Sequence, residues 1–318
     1  MYRGAWRLPD LQAPIDVPPF VNPDILCLIP LFRDDYTRVA NIEAWVRYAI
    51  YSRWSCLKYT DAILRAVEIK FFVEDILADR VIPTFEKNFV DIDNDVIWFT
   101  TEPLEKSKDG SWGFLGRQMI PYWDERFAGY EWLWVWDADI LFMPNESTRD
   151  LNNPEELLPN KMFTHTPNLP KQAGYLHISI TDNKDLEAHL LHKLALDIEK
   201  SGISVDALLE MSGVSTQRTT ILKPACSLWA YPAKHYHEHH KDFIDWMRTY
   251  APYWGNDEII AGYWTQKFGL DVTNLYKGVG ILTNDLSYYF RCNPPGNILH
   301  GVIKLEFENE LRELLEIE

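Results

Sequence analysis

Trp132-Leu133-Trp134-Val135-Trp136-Asp137-Ala138-Asp139-Ile140-Leu141-Phe142 is the stretch that decides how this chain is read. Five bulky apolar residues in an unbroken run describe a strand buried on both faces. Two aspartates follow at once. If the alternation of the strand continues through them, Asp137 and Asp139 project to the same side. Two carboxylates so placed repel each other unless a cation or a proton lies between them. At the end of a buried strand they are costly to cover without such a partner. A hard divalent cation, Mg2+ or Mn2+, relieves the conflict and can also take diphosphate oxygens. The plainer alternative is a pair of surface aspartates that opens a loop or caps a helix, because Asp-x-Asp alone is common by chance.

Upstream, the pattern alternates between strand and helix. Residues 1–23 carry Pro9, Pro14, Pro18, Pro19 and Pro23 and read as an extended arm. Ile25 to Ile29 is a short apolar run closed by Pro30, and Val39, Ile42, Val46 and Ala49 then recur at helical spacing. Val67 to Val73 and Val96 to Thr100 give two more strands, and Gly113 to Phe127 reads as a helix with Leu115, Met119, Trp123 and Phe127 on one face. Such an order predicts an α/β fold with a central, mostly parallel sheet flanked by helices. Ligands of such sheets bind beyond the carboxyl ends of the strands. Arg33, Asp34 and Asp35, Asp75, and Asp137 with Asp139 fall there. The second half is less regular: a polar loop over 145–160, helices near 185–200, 237–250 and 257–267, and a strand from Ser227 to Tyr231.

The element WVWDADILF resembles the one that ends the nucleotide-binding half of the GT-A glycosyltransferases, a hydrophobic strand followed by a DxD motif. The resemblance implies a GT-A, Rossmann-like nucleotide-diphospho-sugar transferase fold. It also implies a metal-dependent transfer of a sugar from a nucleoside-diphosphate sugar, a UDP-sugar by family frequency, to a hydroxyl group of a glycan, protein or small molecule. In the family the second aspartate binds the metal and the first contacts the ribose or reaches the metal less directly, roles that pass to Asp139 and Asp137. Arg117, in FLGRQMIPYW, matches a basic residue that meets the nucleotide. Leu31 to Tyr36, with Arg33, and Asp75 match the segments that hold base and ribose, although Asp34 or Asp35 serves equally well as a helix N-cap. On this reading 24–305 is one catalytic domain. Its nucleotide-binding half is 24–142, its acceptor-binding half 143–305, and an acidic tail or helix follows over 306–318.

Two further segments extend the resemblance. Gly255-Asn256-Asp257-Glu258 precedes an apolar helical run, where acidic residues also suit the helix dipole. In GT-A enzymes an acidic motif here lies beside the acceptor, as general base in inverting members or as a sugar contact in retaining ones. Asp257 is taken as the sugar or acceptor contact, with Glu258 the rival base. Asn297-Ile298-Leu299-His300-Gly301, with Lys304 beyond, resembles the end of glycogenin-like retaining members, whose histidine completes the metal site and whose glycine and lysine meet the diphosphate. The tryptophan and proline expected after that lysine are replaced by Leu305 and Glu306. The HYHEHH run, with His235, His237, His239 and His240, reads as a solvated helix face, and Lys277-Gly278-Val279-Gly280 is a weak phosphate-loop signal.

Composition narrows the rest. The chain has 318 residues and a formal net charge of −16, which excludes the broad basic footprint of a nucleic-acid binder. Hydrophobic residues make up 47% and aromatics 14%, with 13 Trp and 16 Tyr. So many rings suggest pocket walls as well as core. Cys27, Cys56, Cys226 and Cys292 form no CxxC pair, which indicates neither a zinc site nor a disulfide framework. No stretch suits a signal peptide or a transmembrane helix. Together with a glycosylation sequon at Asn145-Glu146-Ser147, close to the acidic pair, this favours the cytoplasm, a lumenal catalytic domain being the alternative. Two other functions stay open. A nucleotidyltransferase or phosphotransferase also uses aspartate-held metal, but the loop LFRDDYT has no glycine and Leu141 stands where a DxDxT phosphatase needs threonine. A catalytically inactive nucleotide-sugar-binding protein is the other.

Overall fold

The computed structural model describes residues 10–11, 13, 17, 19–32, 42–92, 95–100, 124–142, 162–163 and 228–234, and by backbone alone 172–175, 178–182, 220–224, 271–274, 282–283 and 298–300. The chain divides into two compact units, each assembled from separated segments: 1–102, 134–168 and 276–318 in the first, and 103–133 and 169–275 in the second.

In the first unit β1 (Ile25–Leu31) pairs in parallel with β2 (Glu68–Glu74), and β2 pairs in parallel with β3 (Ile97–Thr100). β4 (Trp132–Trp136), which crosses the boundary of the unit, stands on the other side of β1, giving the order β4-β1-β2-β3. β1 and β4 are buried at every position, as unbroken apolar runs require in a sheet covered on both faces. β1 continues through Pro30, which pairs with Phe72, and ends at Leu31. The proline was expected to close the strand. Its fixed φ is compatible with extended backbone, and a missing donor one residue from the strand end costs the ladder little.

Helix α1 (Ile42–Tyr59) follows β1 and packs against it. It extends ten residues past Ala49, the last residue of the apolar spacing noted above, and stops where the Thr60 hydroxyl donates to the Cys56 carbonyl at 2.6 Å. The chain then turns over Asp61–Ala66, with Ala66 at φ 51° and the Val67 amide bonded to the Ala62 carbonyl at 2.8 Å. Helix α2 (Ala78–Lys87) follows β2 and packs on α1. The expected helix from Gly113 to Phe127 lies outside the described residues as far as 123, and its last residues are not α-helical. Asp124 is extended and its carboxylate accepts from the Arg126 amide, capping a short 3-10 turn over Glu125–Gly129. A small second sheet in the same unit joins β5 (Leu141–Phe142) antiparallel to β12 (Ile298–His300), which pairs in parallel with β11 (Leu282–Thr283).

In the second unit β6 (Gln172–Tyr175) lies between β9 (Leu228–Pro232), to which it is antiparallel, and β10 (Asp271–Asn274), to which it is parallel. β7 (Ile178–Asp182) and β8 (Thr220–Pro224) form an antiparallel pair. Only β9 was legible beforehand. The predicted helices near 185–200, 237–250 and 257–267 lie outside the described residues.

The described tryptophans other than the half-buried Trp54 go into the core. Trp134, Trp136 and Trp229 are among the largest fully buried side chains. Trp134 meets Phe163 edge to face at 5.1 Å and Trp136 meets Phe142 at 5.4 Å. β4 is covered on both faces, so its aromatics pack against protein.

Candidate functional site

β4 ends at Trp136, and the two aspartates lie in a tight turn beyond it. The Ile140 amide donates to the Asp137 carbonyl at 3.1 Å, closing a four-residue turn over Asp137–Ile140, and β5 begins at Leu141. The strand alternation invoked for the pair therefore does not apply. Asp137 and Asp139 are the first and third residues of a β-turn. Asp139 is 5% exposed and Asp137 is half-buried. Each has interaction partners within the protein. Both carboxylates nonetheless belong to a segment of four residues whose neighbours Trp136, Ala138, Ile140 and Leu141 are all buried. Such a setting favours a counter-charge.

The turn is anchored on both sides. The Trp136 indole donates to Ser52 Oγ at 2.9 Å and the Phe142 amide donates to Ser55 Oγ at 3.1 Å, both serines belonging to α1. The β5–β12 ladder pairs Phe142 with Ile298 and Leu141 with Leu299. His300 is the next residue of β12, one position beyond the last pair of that ladder, which lies two residues from Asp139. The main chain thus brings a residue more than 150 positions away to the acidic turn.

The remaining candidates fall as follows. Asp75 is exposed and opens a 3-10 turn, Asp75–Leu77, directly after β2. Its neighbour Glu74 is the last residue of β2, is 5% exposed and pairs in register with Thr100. β1, β2 and β3 being parallel, Leu31, Glu74 and Thr100 share one edge. In the strand order β1 separates β2 from β4. Arg33, Asp34, Asp35, Arg117, Asp257, Glu258, Gly301 and Lys304 lie outside the described residues, as does the whole HYHEHH run. Among the described residues no three His, Cys, Asp or Glu side chains cluster as a metal site, and β12 is described by its backbone. No described helix is long and apolar enough to cross a membrane.

Sequence reasoning passed over Ser52, Ser55 and Glu74. The signal for the serines is their burial, which the sequence alone does not show. They lie three apart on a helix whose surrounding residues Ala49, Ile50, Tyr51 and Cys56 are buried, and hydroxyls in such a face must find partners.

No family model matches the chain, and no curated protein matches it. Solved structures similar in chain path are glycosyltransferases. The mannosyltransferase Ktr4p from S. cerevisiae is 8% identical, with 81% of this chain and 70% of that one covered and a TM-score of 0.43. The apo-form glycosyltransferase GlyE of Streptococcus pneumoniae TIGR4 is 9% identical, with 93% and 60% covered and a TM-score of 0.46. A glycosyltransferase involved in the glycosylation of the major capsid of PBCV-1 is 14% identical, with 93% and 100% covered and a TM-score of 0.41. At such identities the likeness describes the path of the backbone, and what the chain binds has to come from its own residues.

Proposed function

We propose that the chain is a metal-dependent glycosyltransferase that takes its sugar, a hexose or pentose, from a nucleoside diphosphate, a UDP-sugar in the first instance, and passes it to a hydroxyl acceptor. The observation that carries the reading is the Asp137–Ile140 turn. It presents two carboxylates, one of them buried, at the end of a fully buried strand next to a parallel sheet. Paired carboxylate oxygens fit a hard cation such as Mn2+ or Mg2+ and suit softer metals poorly. The backbone register of β12 supports His300 as a further ligand. When bound, the cation supplies Lewis acidity to a departing diphosphate.

The chain's own residues would do the rest. Asp139 and His300 hold the cation, with Asp137 at its side or on the ribose. Arg33, Asp75, Arg117 and Lys304 meet the nucleotide, and Asp257 contacts the transferred sugar or the acceptor. Glu258 stands as the alternative base. These last assignments rest on the resemblance of sequence segments. A His300 in the metal site suits retention, and a base at Glu258 suits inversion. The anomeric configuration of the product, read by proton NMR coupling, separates the two. Free, buried Cys27 and Cys56 fit a reducing compartment such as the cytoplasm.

The test is a thermal-shift screen of nucleotide sugars with and without Mn2+. A ligand that binds only the folded state raises its stability with the logarithm of free concentration over Kd. We expect a donor-induced rise in Tm that needs Mn2+, together with slow donor hydrolysis, both lost in Asp139→Asn while the metal-free Tm is kept. Donor binding indifferent to chelator, or an Asp139→Asn variant with full activity, overturns the proposal. Metal-dependent binding without turnover on any acceptor points instead to a nucleotide-sugar-binding protein.

A further inference from the structure

Two serines of α1 reach the acidic turn from its two ends. Trp136, which donates to Ser52 Oγ, immediately precedes Asp137. Phe142, whose amide donates to Ser55 Oγ, lies three residues beyond Asp139. The Ser55 hydroxyl donates onward to the Ser52 carbonyl at 3.0 Å, so its proton and its lone pair are both engaged. Trp136 and Phe142 also meet edge to face. The segment 136–142 is thus fastened at both ends to a single turn of one helix, and its own Ile140–Asp137 bond closes it between those fastenings.

Neither hydroxyl has water to fall back on, since Ser52 and Ser55 are both 0% exposed. Alanine would fill the same helix positions with better propensity and no polar atom to satisfy. The hydroxyls are explained by what they hold. Two like charges in one turn push apart, and a flexible turn would yield to that push. Carboxylates that must chelate need a frame that resists it, and outer partners that orient first ligands serve that purpose.

We propose that Ser52 and Ser55 are positioning residues that fix the separation of the Asp137 and Asp139 carboxylates for a divalent cation. The inference rests on the metal reading of the turn and adds to it how the site is held. Neither serine touches the cation or the substrate.

The experiment is a calorimetric titration of Mn2+ alone, without nucleotide, into the full chain and its variants, with a thermal melt of each in EDTA. Asp139→Asn should lose measurable binding. Ser52→Ala and Ser55→Ala should each weaken Mn2+ by about tenfold or more, the usual effect of removing an outer partner of a metal site. Trp136→Phe removes the donor opposite Ser52 and should match Ser52→Ala, and the double variant should be no weaker than either single one. Should Ser55→Ala fail to fold, Ser52→Ala and Trp136→Phe carry the test. Serine variants that melt lower yet bind Mn2+ as the wild type does overturn the positioning role and leave the metal site standing. A wild type that binds no Mn2+, or an Asp139→Asn variant that binds it equally well, overturns both.

Discussion

Asp10 shows how much one side chain can fasten. Its carboxylate accepts from Arg47 Nε at 2.8 Å and from Asn88 Nδ2 at 3.2 Å, while Asn88 Oδ1 accepts from the Leu11 amide at 2.8 Å. Asp10 and Leu11 are thereby tied to α1 and to the end of α2. The Arg47 hydrogen bond, ahead of all other causes, holds the Asp10 carboxyl below the usual carboxylate range. A depressed folded value means that the stabilisation is complete above the unfolded pKa of about 3.9 and fades as pH falls through the lower folded one. The side chain is 44% exposed, so the contribution is at most about 1 kcal/mol. Asp10→Asn is expected to lower Tm slightly at pH 7, and the gap to the wild type should shrink at pH 3, as read from paired thermal melts. Asp61 has a larger stake. It is 5% exposed and accepts from the Phe163 amide at 2.9 Å across 102 residues of sequence. Asp61→Ala orphans a buried donor and should cost about 1–3 kcal/mol in urea denaturation. Asp61→Asn, which keeps an acceptor oxygen, should cost less.

Among the elements, what could be read ahead of the structure was what repeats or runs. β1, β3, β4 and β9 hold apolar runs of three or more residues, β2 sets Ile69 and Phe71 to Val73 among Glu68, Lys70 and Glu74, and each was placed within two residues of its observed bounds. α1 was placed but cut short, because from Ala44 to Leu57 it is buried around most of its circumference and leaves no single apolar stripe to follow. β5, β11 and β12 are two or three residues long, too short for any period to register. They exist because a distant partner supplies their hydrogen bonds. The site divides in the same way. Asp137 and Asp139 stood out because charge follows an apolar strand, yet their geometry was misjudged: the turn bond from Ile140 to Asp137 is a local event that alternation cannot foresee. Ser52 and Ser55 were passed over because serine in a helix carries no signal until its burial is known. Cys27 and Cys56 are both buried and free. Burial raises Cys27 well above the ordinary thiol range and Cys56 to about 12, so both stay protonated and inert. Neither is expected to react with iodoacetamide in the native state at pH 8, which mass spectrometry after brief labelling would check.

At the scale of the molecule, the first unit is built from three stretches of chain, and its small sheet joins 141–142 to 282–283 and 298–300. Contacts of such sequence separation close long loops, whose entropy they must offset. The metal reading therefore depends on an end-to-middle closure, and that closure has two separable parts. The backbone of β12 covers the edge of β5, and His300 is the further ligand proposed above. Leu299 sits opposite Leu141, in a strand flanked by β11 and β5. Leu299→Pro deletes a main-chain donor from the middle of that sheet. It should lower the metal-free Tm by at least about 2 °C, the shift that roughly 1 kcal/mol gives a chain of this size, and weaken Mn2+ binding as well. His300→Ala leaves the ladder intact. It should keep the metal-free Tm and weaken Mn2+ by about tenfold or more, as the loss of a ligand would. A His300→Ala chain with wild-type Mn2+ affinity, alongside a Leu299→Pro chain that loses it, would show that β12 serves the turn through its backbone alone and would remove His300 from the ligand set.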